Sequence, residues 1–277
     1  MGEIVHAASL ASARHSAKRE TSPAIVHCGI MHLPRVLTFL RREQRLLALF
    51  LGGAALGFAF WKLASEMAEG DTEAFDRAIL TGLRVPGDLA TPIGPEWLHT
   101  AMVDITALGG VTVLTLVSVL AVAFLLLLGR YRQALLTAVA TGGGSIVGKL
   151  LKSLFARERP EIVPHLVEVT SLSFPSGHSM NSAIVYLTIA VLLARGLAES
   201  RLRAFVIGIA VLLVLTIGFS RVYLGVHFPS DVLAGWSVGA AWALLMGLIA
   251  SALQRDHQIE QPEGDNVIRE QGAPLKR

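Results

Sequence analysis

The sequence predicts an all-α membrane protein, a bundle of six transmembrane helices. Of its 277 residues, 53% are hydrophobic and only 16% are charged, and the mean hydropathy is +0.57. Soluble domains usually carry about a quarter charged residues, so this composition belongs to the membrane class. Six apolar stretches reach the length of about 20 residues that a helix needs to cross a bilayer. They lie at 46–64, 103–128, 132–153, 178–195, 203–222 and 230–252.

The chain divides into one membrane domain and two tails. Residues 45–254 hold all six apolar stretches and contain no internal repeat. Residues 1–44 lack the apolar core of a cleavable signal peptide, and we expect a disordered cytoplasmic extension there. Residues 255–277 are polar and contain Pro and Gly, which predicts a disordered cytoplasmic tail.

A short helix is expected at residues 71–84, between the first two spans, because the segment has one apolar helical face. The spacing favours a helix that either lies in the membrane interface or packs on the bundle. In both arrangements we expect it to carry no chemistry.

The positions of arginine in the short loops predict the orientation. Arginines cluster within 35–45, 130–132 and 195–203, and these segments all fall on one side of the bundle. The loops 65–102 and 154–177 fall on the other side, and the first of them is rich in acidic residues. The arginine-rich side is therefore predicted to be cytoplasmic, with both termini inside. The architecture, with a short polar tail at each end, looks bacterial, so we expect an integral protein of the bacterial inner (cell) membrane.

Composition excludes several kinds of site. The single cysteine, Cys28, rules out an internal disulfide and a zinc site built from cysteines. The formal net charge of +3 is small, and the arginines flank apolar segments instead of forming a basic groove. We therefore expect no nucleic-acid partner.

Three polar motifs stand where the predicted spans meet one membrane face. One ends the third span, one begins the fourth, and one joins the fifth to the sixth. They are Lys152-Ser-Leu-Phe-Ala-Arg-Glu-Arg159-Pro160, Pro175-Ser176-Gly177-His178, and Ser220-Arg221 followed by His227 and Asp231. Spans three and five run outward and spans four and six run inward, so all three motifs converge on the extracytoplasmic face.

The pattern Lys-x6-Arg-Pro, Pro-Ser-Gly-His and Ser-Arg-x5-His-x3-Asp resembles the type 2 phosphatidic acid phosphatase family. That family is also similar to vanadium haloperoxidases and glucose-6-phosphatase. Eleven fixed positions match in order and in internal spacing, and the similarity covers roughly residues 70–252. The resemblance implies a metal-independent membrane phosphatase that works through a phosphohistidine on His227.

The motifs also suit phosphate binding on chemical grounds. A phosphoryl group in transfer carries negative charge, so its catalysis depends on positioning and electrostatic stabilisation. The motifs offer no carboxylate cluster for Mg²⁺, and Lys152, Arg159 and Arg221 supply positive charge instead. Ser176 and Gly177 open the fourth span, where free backbone N–H groups form an anion site. These five residues are the predicted phosphate-binding set, with no metal or cofactor.

Two histidines divide the predicted chemistry. His227 is the nucleophile, and Asp231 fixes its tautomer and supports the cation formed on attack. The two are four residues apart, so they face each other either across a helical turn or, as Pro229 between them favours, in a cap at the helix start. His178 protonates the leaving alkoxide and later helps to activate water.

Other charged and small residues receive plainer interpretations. Arg157 lies outside the pattern and is expected to snorkel towards the membrane surface. Lys149, one turn deeper than Lys152, either snorkels or pairs with an acid such as Asp104. Gly142-Gly143-Gly144 is expected to let helices pack closely.

The predicted function is hydrolysis of a lipid phosphomonoester or pyrophosphate at the outer face. Phosphatidic acid, phosphatidylglycerol phosphate and undecaprenyl pyrophosphate all remain open as substrates. The expected partners are this lipid and the bilayer, with no obligatory protein partner. One alternative is a lipid phosphotransferase with the same intermediate. An alternative of another class is a phospholipid transporter without catalysis.

Overall fold

The computed structural model describes residues 33–169 and 171–255, which are mostly helical. The helices of this part of the chain are α1 (Leu33–Glu69), α2 (Glu73–Gly82), α3 (Glu96–Ala107), α4 (Val111–Leu127), α5 (Tyr131–Phe155), α6 (Gly177–Ser182), α7 (Thr188–Arg195), α8 (Ser200–Tyr223) and α9 (Pro229–Arg255). A π-helical turn, Ala183–Leu187, joins α6 to α7. Strands β1 (Arg84–Val85) and β2 (Asp88–Pro92) form a small antiparallel hairpin.

Helix α1 begins earlier than the sequence predicted. Residues 33–44, which we assigned to the disordered extension, are helical. The reason is local, because no Pro or Gly interrupts residues 35–51 and leucine and arginine, both good helix formers, dominate there. The predictions for residues 1–32 and 256–277 lie outside the described residues. The candidate site lies within the unit Gln44–Arg277.

The predicted six-span architecture is confirmed. Within the described ranges, five continuous helical segments are long and apolar enough to cross a membrane, and one of them joins α6, the π-helical turn and α7. Helices α3 and α4 together make a sixth candidate span. The five are Leu46–Glu69, Tyr131–Phe155, Gly177–Arg195, Ser200–Tyr223 and Pro229–Leu253.

The prediction of one continuous helix over 103–128 is wrong. Helix α3 ends at Ala107, α4 begins at Val111, and their axes differ by 49°. Gly109 and Gly110 lie in this break, and Gly110 takes extended backbone as the residue that caps α4. Adjacent glycines weaken a helix because they have the most backbone freedom to lose. The apolar character of the segment hid the interruption.

Helix α2 packs on the bundle, which was one of the two predicted arrangements. Asp76 and Leu80 are fully buried on its inner face. Phe75 and Ile79 remain exposed, with 47% and 37% of their surface accessible. The buried carboxylate of Asp76 was not part of the predicted apolar face.

Small residues bring the motif-bearing helices together. A Cβ on Gly235 of α9 would lie 2.8 Å from the Ser176 carbonyl oxygen, so only glycine permits this approach of α6 to α9. In the glycine run of α5, a Cβ on Gly144 would lie 2.6 Å from Ile184 Cδ1, and one on Gly143 would lie 3.1 Å from Trp242. The predicted packing role is therefore confirmed for Gly143 and Gly144, whereas Gly142 has open space around it.

Candidate active site

His227 lies in the tight turn between α8 and α9 and is 1% exposed. The turn depends on Gly225, whose φ of +75° is unfavourable for residues with a side chain. A Cβ at that position would also lie 2.9 Å from the Pro164 carbonyl oxygen. The sequence thus folds here so that the imidazole points inward, towards the ends of α5 and α6.

Asp231 holds the Nδ1 side of His227. It stands in the first turn of α9, where Oδ2 accepts a hydrogen bond from the Phe228 N–H at 2.9 Å, as in the acidic half of a capping box. The same oxygen accepts from Ser173 Oγ and lies 3.4 Å from His227 Nδ1. This is the cap arrangement that Pro229 favoured, with Pro229 as the first residue of α9.

The Nε2 side of His227 faces Arg159. Nη1 of Arg159 lies 3.3 Å from Nε2, and since a guanidinium only donates, Nε2 is the acceptor. The partners therefore assign the ring proton to Nδ1, towards Asp231 and Ser173 Oγ, which lies 3.3 Å away. Burial lowers the pKa of His227 from 6.5 to about 3, against the opposing effect of Asp231. At neutral pH the imidazole is uncharged, and its free lone pair is on Nε2.

Arg159 is half-buried just beyond α5 and bonds to backbone and hydroxyl groups. Its Nε donates to the Ser171 carbonyl at 2.6 Å, Nη2 donates to Ser171 Oγ at 3.1 Å, and Nη1 donates to the Val226 carbonyl. Burial lowers its pKa and Asp231 partly opposes that effect. No carboxylate of the described chain forms an ion pair with it.

Arg221 stands in the last turn of α8 and is 3% exposed. Its Nη1 donates to Thr106 Oγ1 at 2.8 Å, whereas its buried Nε has no hydrogen-bond partner. Like Arg159, it forms no ion pair with any described carboxylate. Thr106 belongs to α3, so the second span helps to orient this guanidinium.

Lys152 and Gly177 lie side by side. Lys152 Nζ donates to the Leu172 carbonyl, and a Cβ on Gly177 would lie 3.3 Å from Lys152 Cε. The missing side chain of Gly177 therefore makes room for this lysine. Lys152 also has no carboxylate partner among the residues whose placement is described.

Ser176 and His178 have different surroundings. Ser176 is fully buried and caps α6, and its Oγ accepts from the Ser179 N–H at 3.5 Å and from Ser179 Oγ at 3.0 Å. The capping leaves the N–H groups of Gly177 and His178 in the first helical turn, without intrahelical acceptors. The imidazole of His178 packs against the glycine break, 3.2 Å from where a Cβ on Gly109 would stand.

The snorkelling interpretation of Arg157 is wrong. Its guanidinium donates to Asp231 Oδ1 at 2.8 Å and to Asp76 Oδ2 at 3.0 Å, and its side chain is 14% exposed. Sequence reasoning also missed Ser173, Thr106 and Asp76, since each reaches the site from a distant segment. Only Asp76 gave a signal in the sequence: it is a charged residue one helical turn before the buried Leu80 of α2. A charged residue on the buried face of a short helix indicates a polar partner inside the fold.

Lys149 lines a cavity and forms no ion pair with Asp104, although both residues are described. This cavity of about 810 Å³ runs between α4 and α5. Lys152, Gly177 and His178 stand at its polar end. Its apolar wall includes Leu114, Val119, Val122, Ala123 and Leu126. We call this cavity the α4–α5 groove.

Comparison with known proteins places the chain in a family. The model of the PAP2 superfamily matches residues 133–255. Phosphatidylglycerophosphatase B of Bacillus subtilis (strain 168) is 40% identical over 151 residues, which are 54% of this chain and 74% of that protein. The undecaprenyl-diphosphatase of Sulfolobus acidocaldarius is 36% identical over 147 residues, covering 50% of this chain and 66% of the relative.

The fold agrees with a solved structure. The transmembrane PAP2 type phosphatidylglycerolphosphate phosphatase from Bacillus subtilis has a TM-score of 0.67 and 34% sequence identity, covering 73% of this chain and 98% of that one. Helical spans and a cationic, histidine-containing site at their ends define an integral membrane protein of this class. The chain belongs to the PAP2 superfamily.

Proposed function

We propose that this membrane lipid phosphatase removes the terminal phosphate of a lipid phosphomonoester or pyrophosphate through a phosphohistidine on His227. One observation carries the proposal. Arg159 Nη1 lies 3.3 Å from the neutral imidazole of His227, and Lys152 and Arg221 interact electrostatically with Arg159. None of these three cations has a carboxylate partner among the described residues. A desolvated positive cluster beside a free nitrogen lone pair is complementary to a phosphate that undergoes in-line attack.

The first step transfers phosphorus to nitrogen. His227 Nε2 attacks the phosphorus, the N–P bond forms, and the bond to the lipid oxygen breaks. The incoming phosphate oxygens replace Nε2 as acceptors of the Arg159 hydrogen bond, and Asp231 supports the imidazolium through Nδ1–H. His178 gives its proton to the leaving oxygen. The negative charge of the bound phosphate offsets the three cations and lets His178 carry that proton.

The second step returns the enzyme to its starting state. His178, now neutral, takes a proton from water as the water oxygen attacks phosphorus. The N–P bond breaks, inorganic phosphate leaves, and His227 is again neutral. Over the whole cycle, one lipid phosphate and one water give one lipid alcohol and one inorganic phosphate, and both histidines return to their starting protonation states.

The α4–α5 groove supports a lipid as the substrate. Its polar end adjoins the three site residues Lys152, Gly177 and His178, and its wall is apolar along α4. A headgroup phosphate at the polar end would leave the tail between the helices. The names of the relatives, a phosphatidylglycerophosphatase and an undecaprenyl-diphosphatase, support the same substrate class.

We also propose that the phosphatase works without a metal and needs no protein partner. The three cations supply the charge that Mg²⁺ supplies elsewhere, and no three His, Cys, Asp or Glu side chains cluster within the described residues. The arginine distribution further supports cytoplasmic termini and an extracytoplasmic site.

Phosphate release from a panel of lipid phosphates in detergent tests the proposal. Phosphatidic acid, phosphatidylglycerol phosphate and undecaprenyl pyrophosphate are compared with EDTA present and absent. Wild-type protein should release phosphate in EDTA and form an acid-labile phosphoenzyme from ³²P-labelled substrate. His227→Ala should do neither, whereas His99→Ala, a histidine of α3 outside the site, should behave as wild type.

Three outcomes would contradict the proposal. Transfer of phosphate only to a lipid acceptor would make the protein a phosphotransferase. Loss of turnover in EDTA that Mg²⁺ restores would assign the charge to a metal. A labelled His227→Ala protein would move the nucleophile to another residue.

A further inference from the structure

We infer that Arg157 and Asp76 are positioning residues of the hydrolysis, which orient the Asp231 carboxylate so that it supports His227. The inference rests on the proposed roles of His227 and Asp231. It gives Arg157 and the short helix α2 a part in the reaction, although Arg157 is not a fixed position of the first motif and α2 lies outside all three motifs.

The first argument is the geometry of Arg157. Its Nη1 donates to Asp231 Oδ1 at 2.8 Å and to Ser230 Oγ at 2.8 Å, and its Nη2 donates to Asp76 Oδ2 at 3.0 Å. Both carboxylates are fully buried. The guanidinium carbon lies 4.0 Å above the centre of the Phe228 ring, which fixes the plane of the group. One planar cation therefore bridges two buried anions.

Asp76 is anchored as firmly on its own side. Its Oδ1 accepts the Ser230 N–H at 2.9 Å, and its Oδ2 accepts Ser230 Oγ at 2.6 Å. Ser230 is the second residue of α9, one residue before Asp231. Helix α2 is thus tied to the helical turn that carries the partner of His227.

The two oxygens of Asp231 have separate tasks. Oδ2 meets His227 Nδ1, Ser173 Oγ and the Phe228 N–H, while Oδ1 meets Arg157. The contact of Oδ2 with Nδ1 is 3.4 Å long, so a small rotation of the carboxylate would break it. Without the Oδ1 anchor, that rotation is opposed only by the bonds to Oδ2.

The positive charge of Arg157 is already paired with the carboxylates of Asp76 and Asp231. It is the arginine of the site that pairs with carboxylates, whereas Lys152, Arg159 and Arg221 have none in the described chain. Arg157 is therefore not expected to bind the substrate phosphate. Changes at Arg157 should lower kcat and leave KM nearly unchanged, which is the pattern expected for a residue that acts through Asp231.

Kinetics of two single variants and two control variants test the inference on a lipid phosphate in detergent. Arg157→Lys keeps the charge but lacks the planar fork that reaches both carboxylates. Asp76→Asn removes the anchor charge. Each should lower kcat by about 10–100-fold, the range typical when an outer partner that orients a functional group is lost. Glu158→Gln and Arg77→Gln change exposed neighbours of the two residues and should leave kcat unchanged.

A double-variant comparison separates positioning from general stability. If Arg157 acts through Asp231, Arg157→Lys combined with Asp231→Asn should be no slower than Asp231→Asn alone. Multiplied losses would overturn the inference. So would a lower unfolding temperature with unchanged kcat per folded molecule. If Arg157→Lys fails to insert, Asp76→Asn provides the same comparison, and wild-type kinetics for it would overturn the inference.

Different results would contradict the positioning role of Arg157 and the proposed nucleophile His227. A wild-type enzyme that turns over lipid phosphate without a phosphoenzyme would contradict the role of His227. The double-variant comparison uses turnover alone, so it still decides whether Arg157 and Asp231 act as one unit.

Discussion

At the scale of single residues, the site separates a cation that has anionic partners from cations that have none. Arg157 contacts both Asp76 and Asp231, whereas within the described residues the Arg221 guanidinium donates to the hydroxyl of Thr106 and has no partner for its buried Nε. A buried charge without a counter-charge is costly, so such groups are rarely accidental. We propose that the substrate phosphate is the anion that completes the Arg221 environment.

Replacing His178 by Asn should affect poor leaving groups most. A lipid alkoxide needs a proton to leave, whereas p-nitrophenolate leaves readily without one. General acid catalysis typically contributes about 10²–10⁴-fold, which is the loss we expect on lipid phosphate. The loss on p-nitrophenyl phosphate should be far smaller. Single-turnover rates are the right measurement, because they isolate the chemical step.

The matched comparison for His178→Asn is His227→Ala, which should lose activity on both substrates alike. Equal losses of His178→Asn on the two substrates would mean that His178 binds phosphate or activates water and does not protonate the leaving group.

Replacing Arg221 by Lys should be severe although it keeps the charge. Lysine lacks the planar fork that can contact Thr106 Oγ1 and a phosphate oxygen together. We expect kcat to fall by about 10²–10³-fold, as when a donor to developing charge is lost. Arg203→Lys, at the exposed opposite end of α8, is the control. A kcat near wild type for Arg221→Lys would contradict the assignment.

At the scale of elements, the break between α3 and α4 positions groups of the site. Helix α3 carries Thr106 to Arg221, and the Gly109–Gly110 break makes room for the His178 ring. An unbroken helix would place side chains in that space. The bend is thus linked to two of the predicted site residues.

Gly109→Ala should therefore disturb both stability and turnover. Its Cβ would lie 2.5 Å from Ile217 Cγ2 and 3.2 Å from the His178 ring, so the neighbours must move. Overpacking of this kind costs about 1–3 kcal/mol of the free energy of unfolding. Thermal unfolding in detergent and lipid-phosphate turnover are the measurements. Gly208→Ala on α8, where the space is open, should leave both unchanged or slightly raise stability.

Filling the α4–α5 groove should discriminate between lipid and soluble substrates. Val122→Trp places a large ring in the groove, so turnover of long-chain lipid phosphate should fall while p-nitrophenyl phosphate turnover persists. Leu120→Trp on the same helix faces away, at 59% exposure, and serves as the control. A parallel loss on both substrates for Val122→Trp would argue against a tail in this groove.

At the scale of the whole molecule, we propose an orientation from arginine placement, since short loops rich in arginine tend to stay in the cytoplasm. Helices α5 and α8 end, and α6 and α9 begin, on the face that carries the site. The same face carries the β1–β2 hairpin and α2, because Asp76 reaches Ser230 at the start of α9.

The orientation can be tested with the single native cysteine. With a cytoplasmic N-terminus, Cys28 should resist a membrane-impermeant maleimide in intact cells and react once the membrane is permeabilised. Leu89→Cys on β2, made in a Cys28→Ser background, should react in intact cells, because Leu89 is 44% exposed on the face of the site. The reverse labelling pattern would invert the proposed topology.

The sequence by itself determined the all-α membrane class, the spans and the three motifs. Span length, hydropathy and arginine distribution are local properties of the chain, so no tertiary contact is needed to see them. The order of the spans then placed the motifs at one face, because neighbouring spans alternate in direction. This was enough to predict that the three motifs converge, whereas the contact between Arg159 and His227 came from the structure.

The tertiary structure decided which polar groups are partners. Arg157 has the sequence context of a snorkelling residue, and only the fold shows that Asp76, 81 residues earlier, lies within 3.0 Å of it. Thr106 and Arg221, which are 115 residues apart, form a hydrogen bond. The Ser176 hydroxyl oxygen accepts hydrogen bonds from Ser179 at the start of α6. Hydrogen bonds depend on distances of a few ångströms between segments far apart in sequence. Spacing along one chain cannot fix such distances, whereas the packing of the helices does.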